Sequence, residues 1–268
     1  MIFSFLKFIF SKLPESNRFE RIWKIAQIDF KKRYYNDRIG LLWALLNPVL
    51  EVSVYYIVFT FLMNIERSGI ENFALFIFSA IIFWKAFKET TKKGMKILSS
   101  KRYLIENIKV NKIDLFLSNG LATFFGFIFN LSAFILLSLL YGVHLSTTFF
   151  FLPILILNTF LIAVGLGMIL SGAYILVRDI EHLLDIVFLV GFWVSGIFFP
   201  SERVLEVWAP LYYINPFLGI FHNVRAILVF NSNLDLIIMN FNLVVGIVIY
   251  GLGVYVVKNH TAKVLEKA

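Results

Sequence analysis

The chain lacks cysteine altogether, which excludes disulfides and thiolate metal sites. Its four histidines show no H-E-x-x-H pattern or other metal-ligand spacing. No G-x-x-x-x-G-K-[ST] phosphate loop occurs, so this chain does not bind ATP in the P-loop manner. Charged residues are few as well, at 16% of the chain. These absences leave the apolar runs as the main source of information.

Apolar residues dominate what is present. Hydrophobic residues make up 59% of the 268 positions and the mean hydropathy is +0.81, more than a soluble domain of this length could bury. The bilayer is therefore the expected solvent. The net charge of +8 fits cations facing an anionic cytoplasmic leaflet better than a nucleic-acid surface, because the basic residues lie between apolar runs.

Six apolar runs predict an all-α integral membrane protein with six transmembrane helices. The runs cover about residues 40–63, 73–87, 115–142, 149–177, 183–199 and 236–257. The second run is short, and we expect its helix to continue into the following loop. The opening stretch, residues 1–13, is too short to span a membrane and lacks the features of a signal peptide.

Basic residues give the orientation. Nine Lys and Arg precede the first run and eight lie between the second and third, whereas the opposite loops offer only Arg67, Arg203 and Arg225. The positive-inside rule then predicts a multi-pass protein of the cytoplasmic (inner) membrane with both termini in the cytoplasm.

The resulting organisation has three parts. Residues 1–39 form a cytoplasmic leader with an amphipathic interfacial helix, 40–257 the transmembrane domain and 258–268 a cytoplasmic tail. The helix is inferred from apolar residues at helical spacing, namely Phe19, Ile22, Trp23, Ala26 and Phe30. This stripe either lies in the membrane interface or packs on the protein's own spans, and the two interpretations are compatible.

Few polar side chains fall inside the runs. Glu51 either lines a water-filled pathway and contacts substrate or makes a polar contact with a neighbouring helix. Lys85 is expected to extend its ammonium to the cytoplasmic interface. Asn130 and Asn158 are expected to form helix–helix hydrogen bonds rather than to bind a ligand.

Two charged connections have the character of docking elements. The loop at about 98–112 places apolar residues among its charges, so a short helix there could offer an apolar edge to another protein. A second charged segment, 176–187, lies where the fourth run turns into the fifth. Ordinary solvated loops are the alternative for both.

The segment 191–229 contains three prolines among many aromatic residues. It is too apolar for a free loop and too interrupted for one straight span. Short re-entrant helices between spans five and six, at about 200–230, fit it best, because non-helical backbone at membrane depth must be buried in protein or line a cavity.

In this order, the segments resemble the ABC-2-type permease of bacterial polysaccharide exporters. The closest likeness is to the O-antigen exporter subunit, with capsule exporters next. The shared motifs are Arg33-Tyr34, Gly40, Trp43 and Asn47-Pro48 in "RYYNDRIGLLWALLNPV", then Arg178-Asp179-Ile180, and Asn215-Pro216. The similarity covers the chain from about residue 19.

The resemblance implies a transport subunit without enzymatic activity of its own. Two copies would form a channel and bind two ATP-binding-cassette subunits, which would hold ATP and Mg²⁺, while this chain holds no cofactor. The substrate would be a lipid-linked polysaccharide, and the interfacial helix would flank its cytoplasmic entrance. Contacts to the ATPase would come from Lys101, Arg102, Tyr103, Glu106, Lys109, Arg178, Asp179 and Glu181.

Aromatic residues are the candidates for the transport path, because sugar rings stack on them through C–H faces and slide. Together with Glu51, the candidates are Tyr34, Trp43, Tyr55, Tyr56, Trp193, Phe198, Phe199, Tyr212 and Tyr213. Membrane-interface belts use the same residue types. Pro48 removes one backbone hydrogen bond and is expected to kink the first span, which would shape a lumen.

Three other functions are weighed against this one. An ABC-2 exporter of a drug or small lipid often carries a sizeable extracellular insertion, which this chain lacks. A membrane enzyme such as a glycosyltransferase needs clustered acidic or histidine residues, for which only Asp179, Glu181 and Asp185 are near candidates. A secondary transporter should show two discontinuous helices in an internal repeat, and only one interrupted region is present.

Overall fold

The computed structural model describes residues 17–34, 40, 42–58, 72–107, 110–143 and 147–259, and every regular element among them is helical. The first five helices are α1 (Arg18–Tyr34), α2 (Leu42–Ile57), α3 (Phe73–Ser100), α4 (Arg102–Asn107) and α5 (Lys112–Leu140). A 3-10 turn at Thr147–Phe151 precedes α6 (Leu152–Leu176), α7 (Ile180–Val194), α8 (Glu202–Ile214), α9 (Pro216–Leu228) and α10 (Leu236–Asn259).

Three of these helical segments are long and apolar enough to cross a membrane, namely α5, the segment Thr147–Leu176 and α10. The bent pair α8–α9 would make a fourth if it counts as one span. The described part of α2 has 16 residues and α7 has 15, each shorter than a typical span. Six spans therefore remain a prediction, whereas the continuation of the second run as helix, to Ser100, is confirmed.

The N-terminal half of α3 is the centre of the fold. Every residue from Phe73 to Trp84 is buried, as expected of a helix that is apolar all round. Phe83 packs edge-on against Phe127 of α5, with 5.0 Å between ring centroids, and Phe78 packs against Phe134 at 5.6 Å. Helices α2, α5, α6 and α9 surround this part of α3.

Helix α6 makes the most extensive contacts in the molecule, with α10 on one side and α3 on the other. Glycines allow these helices to approach closely. A Cβ atom on Gly94 of α3 would lie 3.0 Å from the Cα of Gly167, and one on Gly253 of α10 would lie 2.7 Å from the carbonyl oxygen of Gly165. Small residues at such crossings are the usual means by which membrane helices pack.

Helix α1 lies against α5. Ile25 and Ala26 are buried, while Phe19 at the start of the helix is exposed. The Trp23 ring packs edge-on against Phe125, with 5.1 Å between centroids, and Phe30 contacts the same ring at 5.7 Å. The apolar stripe of α1 therefore packs on the protein's own helix, which is one of the two interpretations that the sequence allowed.

Large apolar side chains remain exposed along the outer helices. On α10 they include Ile237, Val244 and Val248, and on α7 they include Leu189 and Val190. Exposed apolar surface of this extent indicates contact with lipid or with another chain.

Candidate functional site

The loop predicted to contact an ATPase is largely helical. Helix α3 ends at Ser100, and α4 follows after the single residue Lys101. Helix α5 then begins behind Asn111, whose side-chain oxygen accepts a hydrogen bond from the backbone N–H of Ile113 at 3.0 Å. The loop is therefore joined at both ends to long helices, α3 and α5.

Several of the described apolar residues of this segment face inward, whereas the sequence suggested an apolar edge offered to another protein. Leu104, Val110 and Ile113 are all buried, in a cluster that also contains Ile97 of α3 and Ile25 of α1. These buried side chains therefore attach the loop to α1 and α3 of the same chain.

The face of α4 that remains accessible is polar and aromatic. Arg102 and Glu106 form an exposed i,i+4 ion pair, with 2.6 Å from Nε to Oε1. Tyr103 is 47% exposed between them. These three predicted contact residues thus share one accessible helix, while Lys109 lies outside the described residues.

The second predicted contact segment begins where α6 ends. Arg178 and Asp179 are exposed in the turn before α7. Glu181 accepts a hydrogen bond from Lys96 of α3, with 2.6 Å from Nζ to Oε1. Asp185, one turn later, binds the ammonium of Lys92 through both oxygens, at 2.7 and 2.8 Å. Lys92 Nζ also lies 3.6 Å from Glu181 Oε1, so three ion pairs among the described residues connect α3 to α7.

These pairs shift the ionisation of their members. The hydrogen bond to Asp185 raises the pKa of Lys92 above its ordinary value of 10.5, against the opposing effect of burial. The hydrogen bond from Lys96 lowers the pKa of Glu181 below 4.5, again against desolvation. Lys92 and Glu181 are therefore both charged near neutral pH.

A bent helical pair lies at the opposite end of the bundle. Helices α8 and α9 meet at 113°, and their junction is Asn215-Pro216. The Asn215 side chain donates to Ser195 Oγ at 2.9 Å and accepts from the N–H of Phe217 at 3.1 Å. The Pro216 carbonyl oxygen accepts from the Asn242 side chain of α10 at 3.0 Å.

Ring contacts show how deep this junction lies. Phe217 packs against Phe87, with 4.4 Å between centroids, and against Trp84 at 5.2 Å. Phe87 lies 14 residues after Phe73, where α3 begins, which corresponds to about 21 Å along a helix. The junction therefore lies well along α3 from the residue at which that helix begins.

Arg225 connects α9 to α3 and to the segment 197–199 that precedes α8. Its side chain is 2% exposed and donates to three carbonyl oxygens: Phe76 at 3.2 Å, Ile197 at 2.9 Å and Phe199 at 3.4 Å. The guanidinium carbon also lies 3.4 Å from the centre of the Phe76 ring. No described carboxylate comes within ion-pair distance of it, so backbone dipoles and an aromatic face compensate the buried charge.

The aromatic path candidates differ in exposure. Trp193 and Tyr213 are each 53% exposed, and Trp43, Phe198 and Phe199 are half-buried. Tyr212 is 3% exposed and packs in a cluster with Val204, Leu218 and Ile238, and its place on the transport path stays a prediction. The side chains of the remaining candidates lie outside the described part of the chain, namely Tyr34, Glu51, Tyr55 and Tyr56.

The structure differs from the expectation for Asn158, one of the two asparagines predicted to join helices. Neither side-chain atom of Asn158 has a hydrogen-bond partner among the described residues, although the side chain is 1% exposed and packs over Gly246. Asn130 leaves its Oδ1 without a partner among those residues as well. A bond between helices comes instead from Asn119, whose amide donates to the Thr90 carbonyl oxygen at 2.9 Å.

Sequence reasoning missed several residues that matter in the fold. Lys92, Lys96 and Arg225 contribute to the sequence argument only as charges that set the orientation. A signal for the ion pairs did exist, because Lys92/Lys96 and Glu181/Asp185 share i,i+4 spacing on two helices. No group of three or more His, Asp or Glu able to hold a metal ion occurs within the described ranges.

Comparisons with known proteins point to one family. The family model for the ABC-2 type transporter matches residues 20–229. An O-antigen export system permease protein RfbA from Myxococcus xanthus is 24% identical over 205 residues, which cover 76% of this chain and 78% of that protein. Two proteins of the same name from Klebsiella pneumoniae are 23% and 21% identical over 199 residues, covering 74% of this chain and 76% of each protein.

Proposed function

The chain belongs to the ABC-2 type transporter family, and from this we propose that it is the channel-forming subunit of an ATP-driven exporter of lipid-linked polysaccharide, such as O-antigen. The observation that carries the proposal is the match over residues 20–229 together with relatives named as O-antigen export permeases. Those names also favour a polysaccharide over a drug or small lipid as the substrate.

The geometry of α4 supports the ATP-driven part of the proposal. A partner ATPase would contact the accessible face with Arg102, Tyr103 and Glu106, and we expect Lys101, Lys109 and the Arg178–Glu181 segment beside it. Helix α3 is continuous from the core to Ser100, so a force on α4 would act on the centre of the fold. In this proposal α4 and the whole basic end of the bundle are cytoplasmic, as are both termini.

The α8–α9 pair supports an external gate. We propose that it enters the membrane from outside and returns, with its turn at Asn215-Pro216. The ring contacts of Phe217 with Phe87 beside the middle of α3 support such a turn, as do the hydrogen bonds of its polar groups with Ser195 and Asn242. Movement of the pair would then open or close the path.

The exposed apolar faces support pairing of two copies. Helix α7 packs on its own chain mainly through Leu184 and Phe188, and its remaining apolar side chains are largely exposed. Helix α2 is similar, with Leu46, Val49 and Val54 exposed in its described part. We propose that these helices border the lumen or the second copy, with Trp193 and Tyr213 as exposed aromatic residues near the gate.

Deletion of this chain from its host tests the proposal. Lipid-linked polymer should then accumulate on the cytoplasmic side and surface polymer should be lost, and the intact chain supplied in trans should restore export. Normal surface polymer in the deletion strain would contradict the proposal. In liposomes that contain the purified chain alone, neither ATP hydrolysis nor polymer transport is expected.

A further inference from the structure

Asp114 is a buried carboxylate at the start of α5. Its side chain is fully inaccessible, and each oxygen accepts a hydrogen bond from a different arginine of α1. Arg18 Nε lies 2.8 Å from Oδ1, and Arg21 Nη2 lies 2.8 Å from Oδ2. Removal of one partner from such a pair leaves an uncompensated charge, so this contact fixes α1 far more strictly than exposed ion pairs do.

A second ion pair connects α1 to the other side of the same loop. Asp29 of α1 binds Lys101, the single residue between α3 and α4. Between Arg21 and Asp29 on α1, Ile25 packs in the apolar cluster that contains Leu104 and Val110. Helix α1 is therefore attached at three places: to Lys101 just ahead of α4, to Leu104 within α4, and to Asp114 after it.

We propose that Asp114 anchors α1 to the base of the loop 98–112, so that α1 and α4 move as one body when an ATPase acts on α4. The inference rests on the proposed function for the source of the force, but the rigid connection is a property of this chain alone. Since α1 would flank the entrance for the lipid-linked polymer, each displacement of α4 would also displace one side of that entrance. Asp114 is thus a positioning residue.

Distances between spin labels test this directly, because a chain without cysteine accepts labels at chosen sites. Lys24→Cys on α1, Asn107→Cys at the end of α4 and Ser232→Cys in the far loop all replace exposed residues. The labelled chain is mixed with an excess of unlabelled chain, so that each assembly contains at most one labelled copy. Pulsed electron paramagnetic resonance then gives the 24–107, 24–232 and 107–232 distances with and without ATP in the complex with the ATPase.

In the parent chain we expect a narrow 24–107 distribution that ATP leaves unchanged, while the 24–232 and 107–232 distances shift together. Asp114→Asn should broaden the 24–107 distribution at least twofold. It should also remove at least half of the 24–232 shift while the 107–232 shift remains. A merely stabilising residue would not separate these two shifts. Glu20→Gln, an exposed acidic residue of the same helix, is the matched control and should change none of the distances.

Arg18→Gln provides a milder second variant, because its side chain is 56% exposed and it removes only one of the two bonds to Asp114. A 24–107 distribution that stays narrow in both variants would overturn the proposal, as would an ATP-dependent change of that distance in the parent chain. If ATP shifts no distance at all, the proposed function fails. The width of the 24–107 distribution without nucleotide still decides whether Asp114 anchors α1.

Discussion

Single atoms decide how closely α6 and α10 approach. Gly253 of α10 faces the Gly165 carbonyl oxygen, whereas a Cβ added at Gly251, two residues earlier on the same helix, would meet no atom of the described residues within 4 Å. The two glycines therefore allow the same substitution to be made in very different surroundings.

Gly253→Ala is expected to force the helices apart at a cost of about 1–3 kcal/mol. The apparent Tm of the Gly253→Ala variant in detergent should fall by several degrees. This Tm is measured from the temperature dependence of the monodisperse fraction. Gly251→Ala should leave the Tm unchanged or raise it slightly, because alanine favours helix over glycine. Equal losses in both variants would contradict the close packing of α6 on α10.

Arg225 illustrates a residue whose role depends on its surroundings. By sequence it belongs among the few external cations, but in the fold it is buried beneath the 197–199 carbonyl groups. Arg225→Met should destabilise the α8–α9 pair by about 1–3 kcal/mol, because buried acceptors lose their donor. Hydrogen exchange of the peptide covering 196–230 should then increase, while exposed Arg203→Met, the control, should not change it.

Polar contacts contribute to the position of α7. Its apolar attachment is small, so the pairs Lys92–Asp185 and Lys96–Glu181 hold its start against α3. We expect Lys92→Met with Lys96→Met to cost about 1 kcal/mol, since these pairs are only partly buried. Amide exchange in residues 180–194 should rise roughly fivefold by the corresponding opening equilibrium.

Lys93→Met is the matched control for that double variant. Lys93 lies on the same helix, but its ion pair is with Glu89, one turn away on α3 itself. Its loss should leave the exchange of α7 unchanged. If all three lysine substitutions together act no differently from Lys93→Met alone, the ion pairs do not position α7.

The same contact predicts a pH dependence. Glu181 has a lowered pKa in the folded chain, so its contribution is present above 4.5 and is lost as pH falls through that lowered value. Lys92 has a raised pKa, so its contribution is present below 10.5 and is lost only as pH rises through the raised value. The difference in Tm between the parent chain and Glu181→Gln should therefore be constant near neutrality and disappear in acid. A difference that grows in acid would contradict this sign.

At the scale of the whole molecule, the orientation can be measured. Ser232→Cys and Ser99→Cys are conservative changes at exposed positions on opposite ends of the bundle. A membrane-impermeant maleimide should label Ser232→Cys in intact cells and Ser99→Cys only after the membrane is permeabilised. The reverse pattern would invert the topology and contradict the assignment of α4 to the cytoplasm.

Much of the architecture is already determined by the order of apolar and basic residues. An all-α membrane protein follows from composition, because apolar surface on this scale has to be solvated by lipid. The continuation of the 73–87 run as helix and the interruption at Asn215-Pro216 follow from local signals as well: the short length of the apolar run in one case, proline in the other.

Only the tertiary structure decided which side chains meet. The sequence could not show that Leu104 and Val110 turn inward, that Asn158 lacks a partner among the described residues, or that Asp114 lies between two arginines of α1. Composition and periodicity report how each segment interacts with its solvent. Pairing depends instead on which helices become neighbours although they lie far apart along the chain, and a single sequence contains no direct measure of that proximity.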